Sequence, residues 1–236
     1  MRSYLSNVVN DVGLMDDILF QCNCGKYQER LEKVLIKKCP TNYKVAMVAD
    51  FLFNDFPKLP YFWGGGHEAT SFDYFMGINP DWGKMKKIMF DGDNDYRIGM
   101  EFPFSLDCSG FVTWCLVNSG FDISSYVKSG TYCLDSDDCL KMGNLFDITD
   151  NNLKNNIKIG DIAWMKGHVG IVTYICKRFN TIDVVHVSGS GKGINNTTIC
   201  LTDGIIIKDE LGYMPSGVEV DRVGDSYFTH IVSVNY

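Results

Sequence analysis

The amino-acid sequence predicts an α+β fold in which a buried central helix packs on an antiparallel β-sheet. Three observations carry that expectation. Apolar residues recur at helical spacing in the first part of the chain; a run that is apolar nearly all round, Phe111 to Val117, stands in the middle; and short runs rich in β-branched residues follow closely in the second half. Helices first and strands afterwards favour segregated layers over alternating βα units.

Taken in order, residues 1–40 read as a helical N-terminal extension, with Tyr27, Leu31, Val34 and Leu35 at i, i+4, i+7 and i+8. Pro40 breaks that helix, and Thr41 is a candidate N-cap for the next. The second helix carries the stripe Val45, Val48, Leu52 and Phe56, and Pro57 and Pro60 end it. Residues 41–236 are expected to form one domain. An aromatic-glycine box follows, Pro60-Tyr61-Phe62-Trp63-Gly64-Gly65-Gly66-His67. Residues 68–105, rich in Gly, Asp and Asn, read as an insertion; a connection that long in a compact domain usually has a function.

Asp107 stands where an N-cap belongs for a helix from Cys108 to about Asn118, with Gly120 as its stop. This helix has no polar face, as expected of one buried on most sides. Strands are expected at Asp161 to Met165, His168 to Cys176 and Thr181 to Ser188. Further strands are expected at Thr197 to Leu201, Gly204 to Lys208 and Phe228 to Val234.

Composition sets outer limits. Hydrophobic residues make up 45% and charged residues 22%, the balance of a folded globular chain. The net charge of −7 and the dilution of each lysine cluster by nearby acids exclude a phosphate-binding surface, so no nucleic-acid partner is expected. No apolar run approaches the roughly 20 residues needed to span a bilayer. Asn10 and Asp11 interrupt what would be the apolar stretch of a signal peptide, so no export signal is read.

Nine cysteines leave at least one thiol unpaired. Cys22, Cys24 and Cys39 lack the spacing and the fourth ligand of a zinc site. Asp91, Asp93 and Asp95 open like a calcium loop. Tyr96 and Phe102, however, stand where that loop needs Gly and Glu, so a solvated acidic loop is the better reading. No metal and no cofactor are expected. Cys115 and Cys176 read as small core residues. Cys133 and Cys139 are close enough in sequence for a disulfide, which sequence does not establish.

The chemistry gathers around Cys108. A thiol attacks an acyl carbon as thiolate, and a helix N-terminus both favours that charge and offers N–H groups to an oxyanion. A cysteine nucleophile also needs an imidazole base and a group to orient it. Of the four histidines, His168 begins one predicted strand and His186 lies in the next. A hairpin between those strands would let both face one side of the sheet. Either alone would more simply be an ordinary half-buried histidine, and Ser188 is an alternative orienting group. His67 and His230 read as structural or surface residues.

Together these boxes resemble the NlpC/P60 family of papain-like cysteine peptidases. The residues that carry the resemblance are Pro60-Tyr61-Phe62-Trp63-Gly64-Gly65, Asp107-Cys108-Ser109-Gly110-Phe111-Val112, Gly160-Asp161 leading to His168-Val169-Gly170-Ile171, and Val185-His186. They occur in the family's order over residues 41–190. The resemblance implies a papain-like fold with Cys108 as nucleophile, His168 as general base and acid, and His186 as third member. It also implies that Tyr61 lies near the oxyanion, with Asp107, Ser109 and Trp63 around the cleft. The implied activity is cleavage of peptidoglycan stem peptides, often between γ-linked D-glutamate and the diamino acid, at the cell wall or outside the cell. Residues 68–105 depart from the family pattern and stand where the cleft is shaped. An amidase or acyltransferase of the same fold, or a non-catalytic module holding wall peptides, are the alternatives; oligomeric state is not legible.

Overall fold

The computed structural model describes residues 41–55, 59, 61, 64–66, 106–129, 133–189, 193–211, 224–225 and 228–236. The N-terminal extension, Trp63, His67, the 68–105 insertion with its acidic loop, and Cys22, Cys24 and Cys39 lie outside the described residues.

Helix α1 (Thr41–Asp55) is followed by α2 (Cys108–Asn118), a 3₁₀ turn (Asp138–Met142), strand β1 (Gly143–Asp147) and a single helical turn, α3 (Leu153–Asn156). Seven strands complete the order: β2 (Ile162–Met165), β3 (His168–Cys176), β4 (Thr181–Ser188), β5 (Gly193–Cys200), β6 (Ile205–Leu211), β7 (Gly224–Asp225) and β8 (His230–Val234). All eight form one sheet in the order β1-β8-β2-β3-β4-β5-β6-β7, and every ladder is antiparallel. The α+β class with an antiparallel sheet is thus as expected, and β2, β3 and β4 start and end within one residue of the predicted bounds. The short edge strands β1 and β7 and the turn α3 were not expected.

The alternation of side chains along the strands explains the continuous apolar runs, because the central strands are covered on both faces. Val169, Ile171, Val185, Val187, Ile194 and Val232 face α1 and α2, joining Val45, Val48, Leu52, Phe111, Val112 and Cys115 in one core. Ala163, Val172, Ile182, Val184, Ile199 and Ile231 face the other way and form a second core with Leu153 and Phe228. Helix α2 is buried at every position but Val117, which accounts for its missing polar face. After it the chain turns through Gly120 at φ 81°, with the Phe121 N–H reaching back to Leu116 O at 3.0 Å.

Two further links fix the centre of the sheet. Fully buried Asp161, just before β2, accepts from the N–H groups of Lys158 at 2.7 Å and Val234 at 3.0 Å, which ties β2 to β8. Burial nevertheless pushes its carboxyl up to about 7. Cys133 and Cys139 are both free thiols, so the disulfide left open by the sequence is not formed; Cys115 is a core residue, and Cys176 is only half buried.

Candidate active site

Asp107 organises the helix end that carries the thiol. Its backbone is extended (φ −90°, ψ −177°), and its carboxylate accepts from the Gly110 N–H at 2.7 Å, an N-cap of the expected kind. The same carboxylate accepts from the Ser109 hydroxyl at 3.2 Å and from the Gly64 N–H at 3.0 Å. The Asp107 N–H in turn donates to Gly65 O at 3.2 Å. The glycine box is therefore laced to the start of α2, and Gly110 has no room for a side chain because a Cβ there would run into Gly65 O. Tyr61, 7% exposed, pairs with Leu106 through a parallel bridge two residues before the thiol.

The Cys108 sulfur sits in a gap of the sheet. The β3–β4 ladder runs from Cys176↔Thr181 to Ile171↔Val185 and stops there. Beyond that point His168 to Gly170 pair only with β2, and His186 to Ser188 only with β5. In the tight hairpin that places Met165 opposite His168, the polar groups of His168 turn toward β2, so Gly167 C=O and Val169 N–H turn toward the side β4 has left. Cys108 Sγ meets both: it donates to Gly167 O at 3.8 Å and accepts from the Val169 N–H. The thiol is thus held by the backbone on either side of His168.

The two histidines bridge the same gap. His168 Nε2 and His186 Nδ1 are 2.9 Å apart, with the rings edge to face. Gly170 makes this possible, since a Cβ there would meet Val184 Cγ1 at 2.7 Å and His186 Cβ at 2.9 Å. Phe228 lies against both rings, stacked on His168 and edge to face with His186, each at 5.3 Å between centroids. On its far side, His186 Nε2 is 2.9 Å from the hydroxyl of fully buried Thr197. Neither Phe228 nor Thr197 stood out in the sequence. Phe228 precedes a strand, and Thr197 sits in a polar run that reads as ordinary strand surface.

Burial dominates the electrostatics. It pushes the Cys108 thiol up to about 12, helped by the Asp107 carboxylate and opposed by the N–H groups of Val169, Ser109 and Cys108 itself. Desolvation lowers His168 to about 4 against the opposite pull of Asp107. His186, 1% exposed, is held well below its ordinary value by burial and then by His168. The direction of each shift favours the neutral forms of the thiol and of both imidazoles.

Of the sequence-predicted residues, His168 and His186 come together, and the Cys108 sulfur meets the backbone on either side of His168, with Asp107 and Ser109 at the helix start and Tyr61 bridged to Leu106. The Asp107 carboxylate and the Ser109 hydroxyl are engaged in the cap. His230 lies away from the pair, edge to face with Trp164 at 5.7 Å. Among the described residues no helix is long and apolar enough to cross a membrane. The chain matches no protein-family model, no curated protein and no solved structure.

Proposed function

We propose that the chain is a papain-like cysteine hydrolase in which Cys108 is the nucleophile, His168 the general base and acid, and His186 the group that orients His168. One observation carries this reading: His168 and His186 are hydrogen-bonded at 2.9 Å across the gap where the backbone around His168 holds the Cys108 sulfur. A buried imidazole pair of this kind is expensive to keep for packing alone, because each ring nitrogen must be matched with a partner.

In the proposed reaction His168 takes the thiol proton as sulfur attacks the scissile carbonyl, and the C=O electrons move onto oxygen. The N–H groups at the start of α2 and the Tyr61 hydroxyl are the donors proposed for that oxyanion. His168 then gives its proton to the departing amine nitrogen, the C–N bond breaks, and a thioester remains on Cys108. Water attacks the thioester with His168 as base, releasing the new carboxylate and the free thiol. The resemblance of the ordered boxes to the NlpC/P60 family supplies the substrate: a peptidoglycan stem peptide, cleaved between γ-D-glutamate and the diamino acid, at the wall or outside the cell.

Digestion of purified peptidoglycan, read by mass spectrometry of the released muropeptides, tests the proposal. Wild type is expected to release fragments with a new amino terminus at the diamino acid, and Cys108→Ala is expected to release none. Identical product profiles for the two proteins would overturn it. Turnover of small or protein amides with no turnover of wall peptides would move the same chemistry to an amidase or acyltransferase.

A further inference from the structure

We infer that Trp164, His230 and Asp147 form a subsite beside Cys108 that recognises a free ammonium group on the substrate residue leaving the scissile bond. The inference rests on the proposed cleavage before a diamino acid and deepens it, by assigning the part of the sheet that reads that residue. The cross-strand register places the three side chains in one row. Val169 pairs with Trp164, Trp164 with His230, and His230 with Asp147, across β3, β2, β8 and β1. Residues directly opposite in antiparallel strands project from the same face. Here that is the face toward α2, because Val169 belongs to the core shared with that helix and Trp164 packs against it. The row starts at the thiol, since the Val169 N–H donates to Cys108 Sγ. Exposure rises along it, from buried Val169 through half-buried Trp164 and His230 to exposed Asp147.

The chemistry along the row suits a cation. Trp164 Nε1–H donates to Ser136 O at 2.9 Å, which fixes the indole while part of the residue stays exposed. His230 stands edge to face against it at 5.7 Å between centroids, with Nδ1 2.8 Å from the Thr229 hydroxyl. Asp147 Oδ1 accepts from the Thr149 hydroxyl at 2.6 Å and the Thr149 N–H at 2.8 Å, so Oδ2 remains to meet a ligand. Those bonds, the hydroxyl's first, hold the carboxyl below its ordinary range, and His230 adds to the effect; the outer end of the row is an anion at neutral pH. An indole followed by a carboxylate attracts a cation twice over. Strand spacing puts Trp164 about 5 Å and Asp147 about 14 Å from Val169. A residue whose amide nitrogen lies at the scissile bond begins its side chain over Trp164, and a four-carbon stem carries its ammonium past the indole toward Asp147. Acylation of that amine, as in a cross-link between stem peptides, removes the charge and both attractions. The subsite therefore selects stem peptides that are not cross-linked.

The test uses two synthetic probes with the full chain: L-Ala-γ-D-Glu-L-Lys-D-Ala, and the same peptide acetylated on the lysine Nζ. Wild type is expected to cleave the free-amine peptide with kcat/KM about five- to tenfold above that of the acetylated one, the difference lying mostly in KM. In Asp147→Asn, a substitution at an exposed position, the two probes are expected to come within about twofold of each other. Binding is read separately in ¹⁵N-labelled Cys108→Ala. The free-amine peptide is expected to shift the Trp164 indole N–H resonance, assigned with Trp164→Phe, and to bind more tightly than the acetylated peptide by about the same factor. Equal treatment of the two probes by wild type, or a preference that persists in Asp147→Asn, would overturn the inference. Should wild type cleave neither probe, the proposed activity fails, and binding to Cys108→Ala still decides the subsite: absent binding, binding that ignores the ammonium, or binding that spares the Trp164 resonance overturns it.

Discussion

At one end of the β3–β4 pair, Ile171 to Cys176 is laddered to Thr181 to Val185; at the other, His168 to Gly170 and His186 to Ser188 have no ladder between them. The laddered end is antiparallel sheet with one register shift between Val172 and Tyr174: backbone groups pair across the strands, and Val172, Ile182 and Val184 fill the second core. At the open end the same kinds of backbone group, Gly167 C=O and Val169 N–H, turn to the Cys108 sulfur instead. Two imidazoles close the gap that the missing ladder leaves. Buried backbone groups must find partners somewhere, so a strand pair that separates creates a polar slot, and here a thiol fills it. The site is built from what the sheet gives up.

Perturbing each end should have opposite consequences for activity and stability. The largest effect is expected at His168. His168→Gln is expected to lower kcat/KM for wall peptides by at least about a thousandfold, measured against wild type at equal folded concentration. It should also remove part of the acid sensitivity of the fold. Because His168 is lowered from 6.5 to about 4, charging it penalises the folded state: the stability its neutral form preserves is complete above about pH 6.5 and is lost as the pH falls toward 4. Urea unfolding across that window should show a shallower loss in His168→Gln than in wild type. An equal slope in both proteins would contradict the buried, neutral imidazole.

An intermediate effect is expected at Gly170, where the two ends meet. Gly170→Ala forces a methyl against Val184 Cγ1 and His186 Cβ, and overpacking of this kind costs about 1–3 kcal/mol. Its activity per folded molecule should fall as well, because the methyl displaces His186. A variant that loses stability while keeping full activity would separate the histidine pair from catalysis. The smallest effect belongs to the laddered end. Ile182→Val removes one methylene from the second core and should cost about 0.5–1.5 kcal/mol in denaturant unfolding, with kcat unchanged.

The same division governs what the sequence made legible. Local patterns were readable: the β-branched runs of β2, β3 and β4, the Asp107 cap and the fully apolar α2 all lie where they were expected. Cys108, His168 and His186 were readable as types of group in a meaningful order. The gap beside them was not, because a strand that looks continuous in sequence, Thr181 to Ser188, keeps β5 along its whole length but loses β3 beyond Val185. β1 was missed because five residues at a sheet edge take their structure from β8, almost ninety residues away in the chain. Phe228 was expected to open the last strand, but β8 begins at His230, and Phe228 instead lies against the imidazoles. Thr197 acquires its meaning only across the β4–β5 pair.

The central claim is that Cys108, although nearly buried and held neutral, is the nucleophile. Cys176 and Cys200 are more exposed than Cys108, so exposure and mechanism predict different targets for an electrophile. The most direct measurement incubates the full chain with a γ-D-glutamyl chloromethyl ketone built on a stem-peptide fragment, then maps the adduct by tandem mass spectrometry. The expected result is one adduct, on Cys108, formed at least tenfold more slowly in His168→Gln. Adducts on Cys176 and Cys200 with Cys108 unmodified would contradict the account.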